Sequence, residues 1–134
     1  MRLRALFEYL VKITAEIENE AAKGFDLSQF GDLMKFAHAL QIQAQTLIDM
    51  VQRAAAQLGE SPHSYAEAGE ILLRRGIFDE KDYRRYRAIV GFRNILVHGY
   101  ASIDISVIED ILKNKRYRET VELAKKILER VRDP

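Results

Sequence analysis

No cysteine occurs in the 134 residues of this chain. Disulfides, zinc–thiolate centres and cysteine nucleophiles are therefore excluded, and the absence fits a reducing compartment. Proline is confined to positions 62 and 134, so little interrupts helical runs. No window is apolar enough to span a bilayer. The first apolar run, broken by Glu8, is too short for a secretory signal. The expected setting is the cytoplasm, with no membrane association. A charge excess is missing too: 21 Lys and Arg against 20 Asp and Glu leave +1.

The near-neutral sum conceals segregation along the chain. Glu8, Glu16, Glu18 and Glu20 face a single cation, Lys12. Between positions 74 and 87, Arg74, Arg75, Lys81, Arg84, Arg85 and Arg87 outnumber Asp79, Glu80 and Asp82. A third stretch carries Lys113, Lys115, Arg116 and Arg118 without an acid. Local positive fields attract polyanions, although each cluster taken alone also fits a solvated helix face.

Hydrophobic spacing predicts helices throughout. Leu3, Leu6, Leu10, Ile13 and Ile17 recur at intervals of three and four, with Glu8, Lys12 and Glu16 on the wet side, and Lys23-Gly24 marks the end. Asp26 with Gln29 reads as the start of a long second helix. Its stripe runs Phe30, Leu33, Ala37, Leu40, Ala44, Leu47, Val51 and Leu58, and His38 beside it is expected in or at the boundary of the core. Gly59 closes this helix, and the loop holds Pro62 and an exposed His63. Ser64-Tyr65-Ala66-Glu67 has capping-box spacing for a short third helix reaching towards Gly76. Asp79 opens a fourth, from about 80 to 98; Asp104 starts a short fifth, and a last helix carries Tyr117, Val121, Ala124, Leu128 and Val131. The expected fold is all-α: an up-and-down bundle of four main helices plus short extra ones, in one domain spanning 1–134. Ile42, Ile48 and Met50 lie off the main stripe and could serve either a dimer interface or a second core layer.

One segment breaks the pattern. Tyr86, Val90, Arg93 and Val97 share a helix face, which places a guanidinium where an aliphatic side chain is expected. Such a charge needs a partner, or a cleft in which a ligand supplies one. Asp32 and Asp49 are candidate internal partners; paired that way, Arg93 would be structural and His98 a residue that merely suits the helix dipole. Asn94 and His98 are four apart and share a face, whereas Arg93 and His98 diverge by ~140° on an ideal helix. Gly99 permits a distorted ending and Tyr100 opens the next loop. A forked, permanent cation suits a phosphodiester, and an imidazole takes a proton near neutral pH. Together they can drive attack of a ribose 2′-hydroxyl on its phosphate without a metal, a reaction open to RNA and closed to DNA.

The run Arg93-Asn94-Ile95-Leu96-Val97-His98-Gly99-Tyr100 resembles the signature of the HEPN superfamily, and its Arg-x4-His-x-Tyr form resembles the HepT-like branch, toxins of MNT–HEPN toxin–antitoxin pairs. Chain length, the opening amphipathic helix, the long second helix and the Tyr-rich helix before the motif are similar as well. The resemblance implies a homodimeric helical bundle and a metal-independent endoribonuclease needing no cofactor. It implies Arg93 and His98 as the catalytic pair, Asn94 as their support, RNA as substrate, and a minimal nucleotidyltransferase antitoxin that adenylylates Tyr100. Arg84, Arg85 and Arg87 are the residues expected to steer the strand. The alternative is a non-catalytic helical module that presents a nucleotide or substrate to a partner nucleotidyltransferase.

Overall fold

The computed structural model describes residues 2–99 and 103–133. Six helices account for the fold: α1 (Leu3–Ala22), α2 (Phe30–Gln57), α3 (Tyr65–Arg74), α4 (Glu80–His98), α5 (Ile105–Lys113) and α6 (Arg118–Arg130). Among the described residues there is no strand, so the chain is all-α, four longer helices with two short ones. Among the described residues no helix is long and apolar enough to cross a membrane.

The second helix is the spine. At 28 residues it runs ~42 Å and packs against α1, α3, α4 and α6. Its length lets it root two apolar clusters. One gathers Leu3, Leu10, Leu47, Val51, Leu72, Tyr86, Leu123 and Ile127; the other gathers Ile17, Phe36, Leu40, Leu96, Ile108, Leu112 and Tyr117. Leu96 therefore anchors the last turn of α4. Burying a leucine contributes about 1.5–3 kcal/mol, enough to hold a helix end that is otherwise half wet.

Caps explain where the helices begin. Asp79 accepts the backbone N–H of Asp82, and Asp82 returns the favour to the N–H of Asp79, a reciprocal capping box. The buried Asp82 also meets Lys126 at 2.6 Å, tying α4 to α6. Ser64 accepts from the N–H of Glu67 at the start of α3, and Asp104 from that of Ser106 at the start of α5. The second helix starts later than its Asp26–Gln29 spacing suggests. Asp26 spends its carboxylate on the N–H and hydroxyl of Ser28, a local turn that competes with capping, and the helix begins at Phe30. Phe30 consequently projects outward, 76% exposed, instead of joining the core stripe. His38 is exposed, on the wet face of α2 rather than in or at the core, and His63 is exposed in its loop. Ile48 and Met50 are fully buried and Ile42 half-buried, so Ile48 and Met50 are core and leave no surface for a dimer there.

Two close contacts hold the halves together. Gly69 on α3 lies against the Tyr86 ring, where a Cβ would stand 2.6 Å from ring carbons. Tyr86 is fully buried, its phenol donating to the carbonyl of Tyr65 at 2.8 Å, and burial pushes its pKa up. At the chain ends, Asp133 accepts the N–H of Leu3 at the start of α1 and also binds Arg53 and Gln57 of α2. Asp133 thus caps a helix whose own N-cap, Arg2, has no capping side chain.

Gly69→Ala is expected to destabilise the protein by about 1–3 kcal/mol through overpacking, read as a lower urea midpoint with an unchanged slope. The Leu3 N–H, with Arg53 beside it, holds the Asp133 carboxyl below the usual carboxylate range. Its stabilising contribution is therefore full above the unfolded-state pKa and is lost as pH falls through the depressed folded value. Asp133→Asn should flatten that part of the acid dependence in thermal melts between pH 5 and pH 2, roughly the window in which paired carboxylates titrate.

Candidate active site

The fourth helix leaves the core in stages. Tyr86 and Val90 are buried, Phe92 and Arg93 half-buried, and the inward role then passes to Leu96, while Val97 is 45% exposed. Arg93 thus does not replace an aliphatic side chain in a closed stripe. It stands at the boundary where the helix emerges between α2 and α3.

Neutral groups hold it there. Its Nε donates to Oε1 of Gln45 at 2.8 Å, and Nη1 donates to Oδ1 of the neighbouring Asn94 at 3.2 Å. The guanidinium carbon lies 5.5 Å from the centre of the Tyr65 ring, an attraction between cation and π-face. Gln45 is itself oriented by α2: its amide nitrogen donates to Asp49 one turn on, at 2.9 Å. Asp49 therefore reaches Arg93 only through an amide. Asp32 lies elsewhere, accepting the N–H of Asp26 and facing Lys35 at 3.8 Å. Among the described residues no carboxylate forms an ion pair with Arg93. Among the described residues the cation is steered but not neutralised, and its Nη2 makes no hydrogen bond.

His98 is the last residue of α4 and is exposed; Asn94, one turn earlier, is exposed as well. The helix stops because Gly99 takes φ +129°, a backbone that side chains rarely adopt, with its N–H reaching back to the carbonyl of Leu96. Tyr100 lies outside the described residues.

The basic segments are less free than their sequence suggests. Arg85 meets Glu122 at 3.2 Å and Glu119 at 4.0 Å. Arg87 binds the Tyr83 hydroxyl and lies over that ring. Lys113 pairs with Glu109, Arg116 with Asp110, and Arg118 with Glu18; the last two hold the Asp110 and Glu18 carboxyls low. Arg84 is exposed and has no carboxylate partner among the described residues. Also among the described residues, no three His, Asp or Glu side chains are grouped to hold a metal ion.

The sequence points to Arg93, Asn94 and His98; the structure adds Gln45 and Tyr65 as neighbours of Arg93 and places Asp49 behind Gln45. Gln45 and Asp49 at a spacing of four are a visible helix pair. Their meeting with Arg93 spans 48 residues and leaves no local trace.

The geometry defines an all-α bundle whose fourth helix closes on Arg93, Asn94 and His98. The HepT-like family profile, described as Ribonuclease HepT-like, matches residues 6–127, and the chain belongs to that family. Three solved structures share its fold, each with a TM-score of 0.84. One is a toxin–antitoxin complex with AMP-PNP, 15% identical over 93% of this chain and 96% of that one. A second is a mutant of the MntA–HpeT toxin–antitoxin pair, 16% identical over 95% and 98%. A third is a tri-AMPylated Shewanella oneidensis HEPN toxin in complex with MNT antitoxin, 16% identical over 95% and 96%. No curated protein matches the chain by sequence.

Gln45→Leu removes the acceptor of the Arg93 Nε proton while keeping bulk. In arginine side-chain NMR, that proton should exchange slowly in the parent protein and at the rate of exposed arginines such as Arg4 in the variant. Fast exchange in the parent would remove the anchoring described above.

Proposed function

We propose that the protein is a cytoplasmic, metal-independent endoribonuclease toxin that cuts RNA through its own 2′-hydroxyl. The observation that carries this reading is the half-buried Arg93, gripped by Gln45 and Tyr65 yet lacking a carboxylate, five residues before an exposed imidazole. His98 takes the proton of the 2′-hydroxyl, the freed oxygen attacks the adjacent phosphorus, and the bond to the 5′-oxygen breaks. The leaving oxygen is protonated from solvent, and a 2′,3′-cyclic phosphate remains. Arg93 stabilises the charge that develops on the non-bridging oxygens, and Asn94 keeps the guanidinium fork in place. Arg84, Arg85 and Arg87 earlier on the same helix steer the strand by their field, with Arg84 contributing most because the other two are already engaged.

Two further parts belong to the same reading. The divergence of Arg93 and His98 around one helix is relieved if two copies of the chain form a homodimer and face each other across a shared cleft. Ile95 and Val97, 47% and 45% exposed beside the site, supply apolar surface for it. The neutralising partner is a minimal nucleotidyltransferase antitoxin that adenylylates Tyr100, a reading supported by the similar AMPylated HEPN toxin in complex with MNT antitoxin. Added bulk and negative charge two residues after His98 would repel an RNA phosphate.

Purified protein incubated with RNA in excess EDTA should yield cyclic-phosphate ends. His98→Ala and Arg93→Ala should each lower the rate by about 10²–10⁴, the usual yield of a positioned proton acceptor or charge-stabilising donor. Cleavage that persists in the double variant would refute the assignment. Nucleotide binding without any cleavage would favour the non-catalytic module that serves a partner nucleotidyltransferase.

A further inference from the structure

A cavity of about 540 Å³ opens between α2, α4, α5 and α6, and neither Arg93 nor His98 lines it. We propose that it binds a small anionic amphiphile, apolar along its body, acidic at its outer end and carrying a hydrogen-bond donor at its buried end. The inference goes beyond the nuclease reading and does not depend on it.

The cavity has the size of a small-molecule site, and its walls are apolar: Leu40, Ala44, Ile89, Phe92 and Ile111. Two buried polar side chains interrupt them, Gln43 at 3% and Thr120 at 4% exposure. The orientation of the Gln43 amide is fixed, because its nitrogen donates both to Thr14 Oγ1 at 2.8 Å and to the carbonyl of Tyr117 at 3.0 Å. Thr14 spends its own proton on the carbonyl of Leu10, so it can only accept from Gln43. The Gln43 carbonyl oxygen is consequently the group left over, and no hydrogen bond reaches it from the described residues. The Thr120 hydroxyl likewise has no partner among the described residues, although Thr14 and Thr46 both bond back to the preceding turn. Among the described residues the one sealed side-chain polar atom without a partner is Arg53 Nε, so the Gln43 carbonyl and the Thr120 hydroxyl are open to the cavity, and an N–H or O–H on a ligand finds a pre-oriented acceptor there.

At the mouth the charges are unequal. Arg85 and Arg116 are balanced by Glu119, Glu122 and Asp110. Lys81 and Arg84 also line the cavity and have no carboxylate partner among the described residues. Two uncompensated cations at the rim select an acid over an alcohol or amine. The arrangement therefore reads an anion outside, an apolar span in between and a donor within.

Isothermal titration with ω-hydroxydecanoate, decanoate and decanediol, below micellar concentrations, tests each part. The hydroxy acid should bind once per chain, with decanoate and decanediol each about tenfold weaker, the worth of one hydrogen bond or one screened charge contact. Arg84→Glu should weaken the hydroxy acid at least tenfold and leave decanediol unmoved. Ala88→Trp, which fills the mouth from an exposed position, should abolish binding while the circular dichroism spectrum and urea midpoint stay at the parent values. Gln43→Met, which removes the acceptor and keeps the bulk, should bring the hydroxy acid and decanoate to equal affinity. No saturable heat up to about 1 mM, binding that ignores Ala88→Trp, or equal affinity of the hydroxy acid and decanoate in the parent protein would each overturn the proposal. RNA is absent from every arm, so failure here leaves the nuclease reading untouched, and the reverse holds too.

Discussion

A guanidinium at the edge of an apolar core must have its donors satisfied, and the choice of acceptor decides what it can still do. A carboxylate would satisfy Arg93 and cancel its charge together. Gln45 satisfies one donor and fixes direction, but it leaves the positive charge in place. Asp49, one bond further away, orients that amide without touching the cation. Tyr65 adds a surface on which the planar group rests. The result is a fixed guanidinium whose charge no carboxylate among the described residues cancels, the kind of arrangement that preorganised electrostatic stabilisation uses.

The bundle exists around that arrangement in a mechanical sense. Gln45 belongs to α2 and Tyr65 to the first turn of α3, while Arg93 arrives on α4. Their meeting depends on the close approach of α3 and α4 at Gly69 and Tyr86, and on the phenol of Tyr86 gripping the carbonyl of Tyr65. One hydrogen bond thus links the packing centre of the core to the residue beneath the guanidinium. At the far end of α4, Leu96 is buried with Ile108 and Leu112, so the last turn is held while Asn94 and His98 face solvent.

Much of this was legible in the residues themselves. The extent of α4 follows from Asp79 and Gly99, and the cap of α5 from Asp104, because these signals act within a turn or two of their own position. Arg93, Asn94 and His98 stand out for the same reason, as polar groups on a recurring helical row. Misreadings arise where two local signals compete. Asp26 has the composition of a helix start, but Ser28 captures its carboxylate, and Phe30 is turned outward as a consequence. Ile48 and Met50 fitted either a dimer interface or a second core layer on local pattern alone; α2 packs against α1, α3, α4 and α6, so its apolar surface extends around most of its girth and both residues are core.

Charge shows the same division between near and far. The stretch from Lys113 to Arg118 contains no acid, yet Asp110 and the distant Glu18 neutralise its arginines once α1, α5 and α6 are assembled. Helix count, the ends of α4, the start of α5 and the three polar residues at the close of α4 were set by the sequence alone, since capping and periodicity are interactions between neighbours along the chain. Only the tertiary structure decided that Arg93 would rest on Gln45 and Tyr65 and stay un-neutralised, and that Gln43 and Thr120 would open into a cavity. Those outcomes depend on which helix faces which, and contacts between segments tens of residues apart are settled by packing the whole bundle.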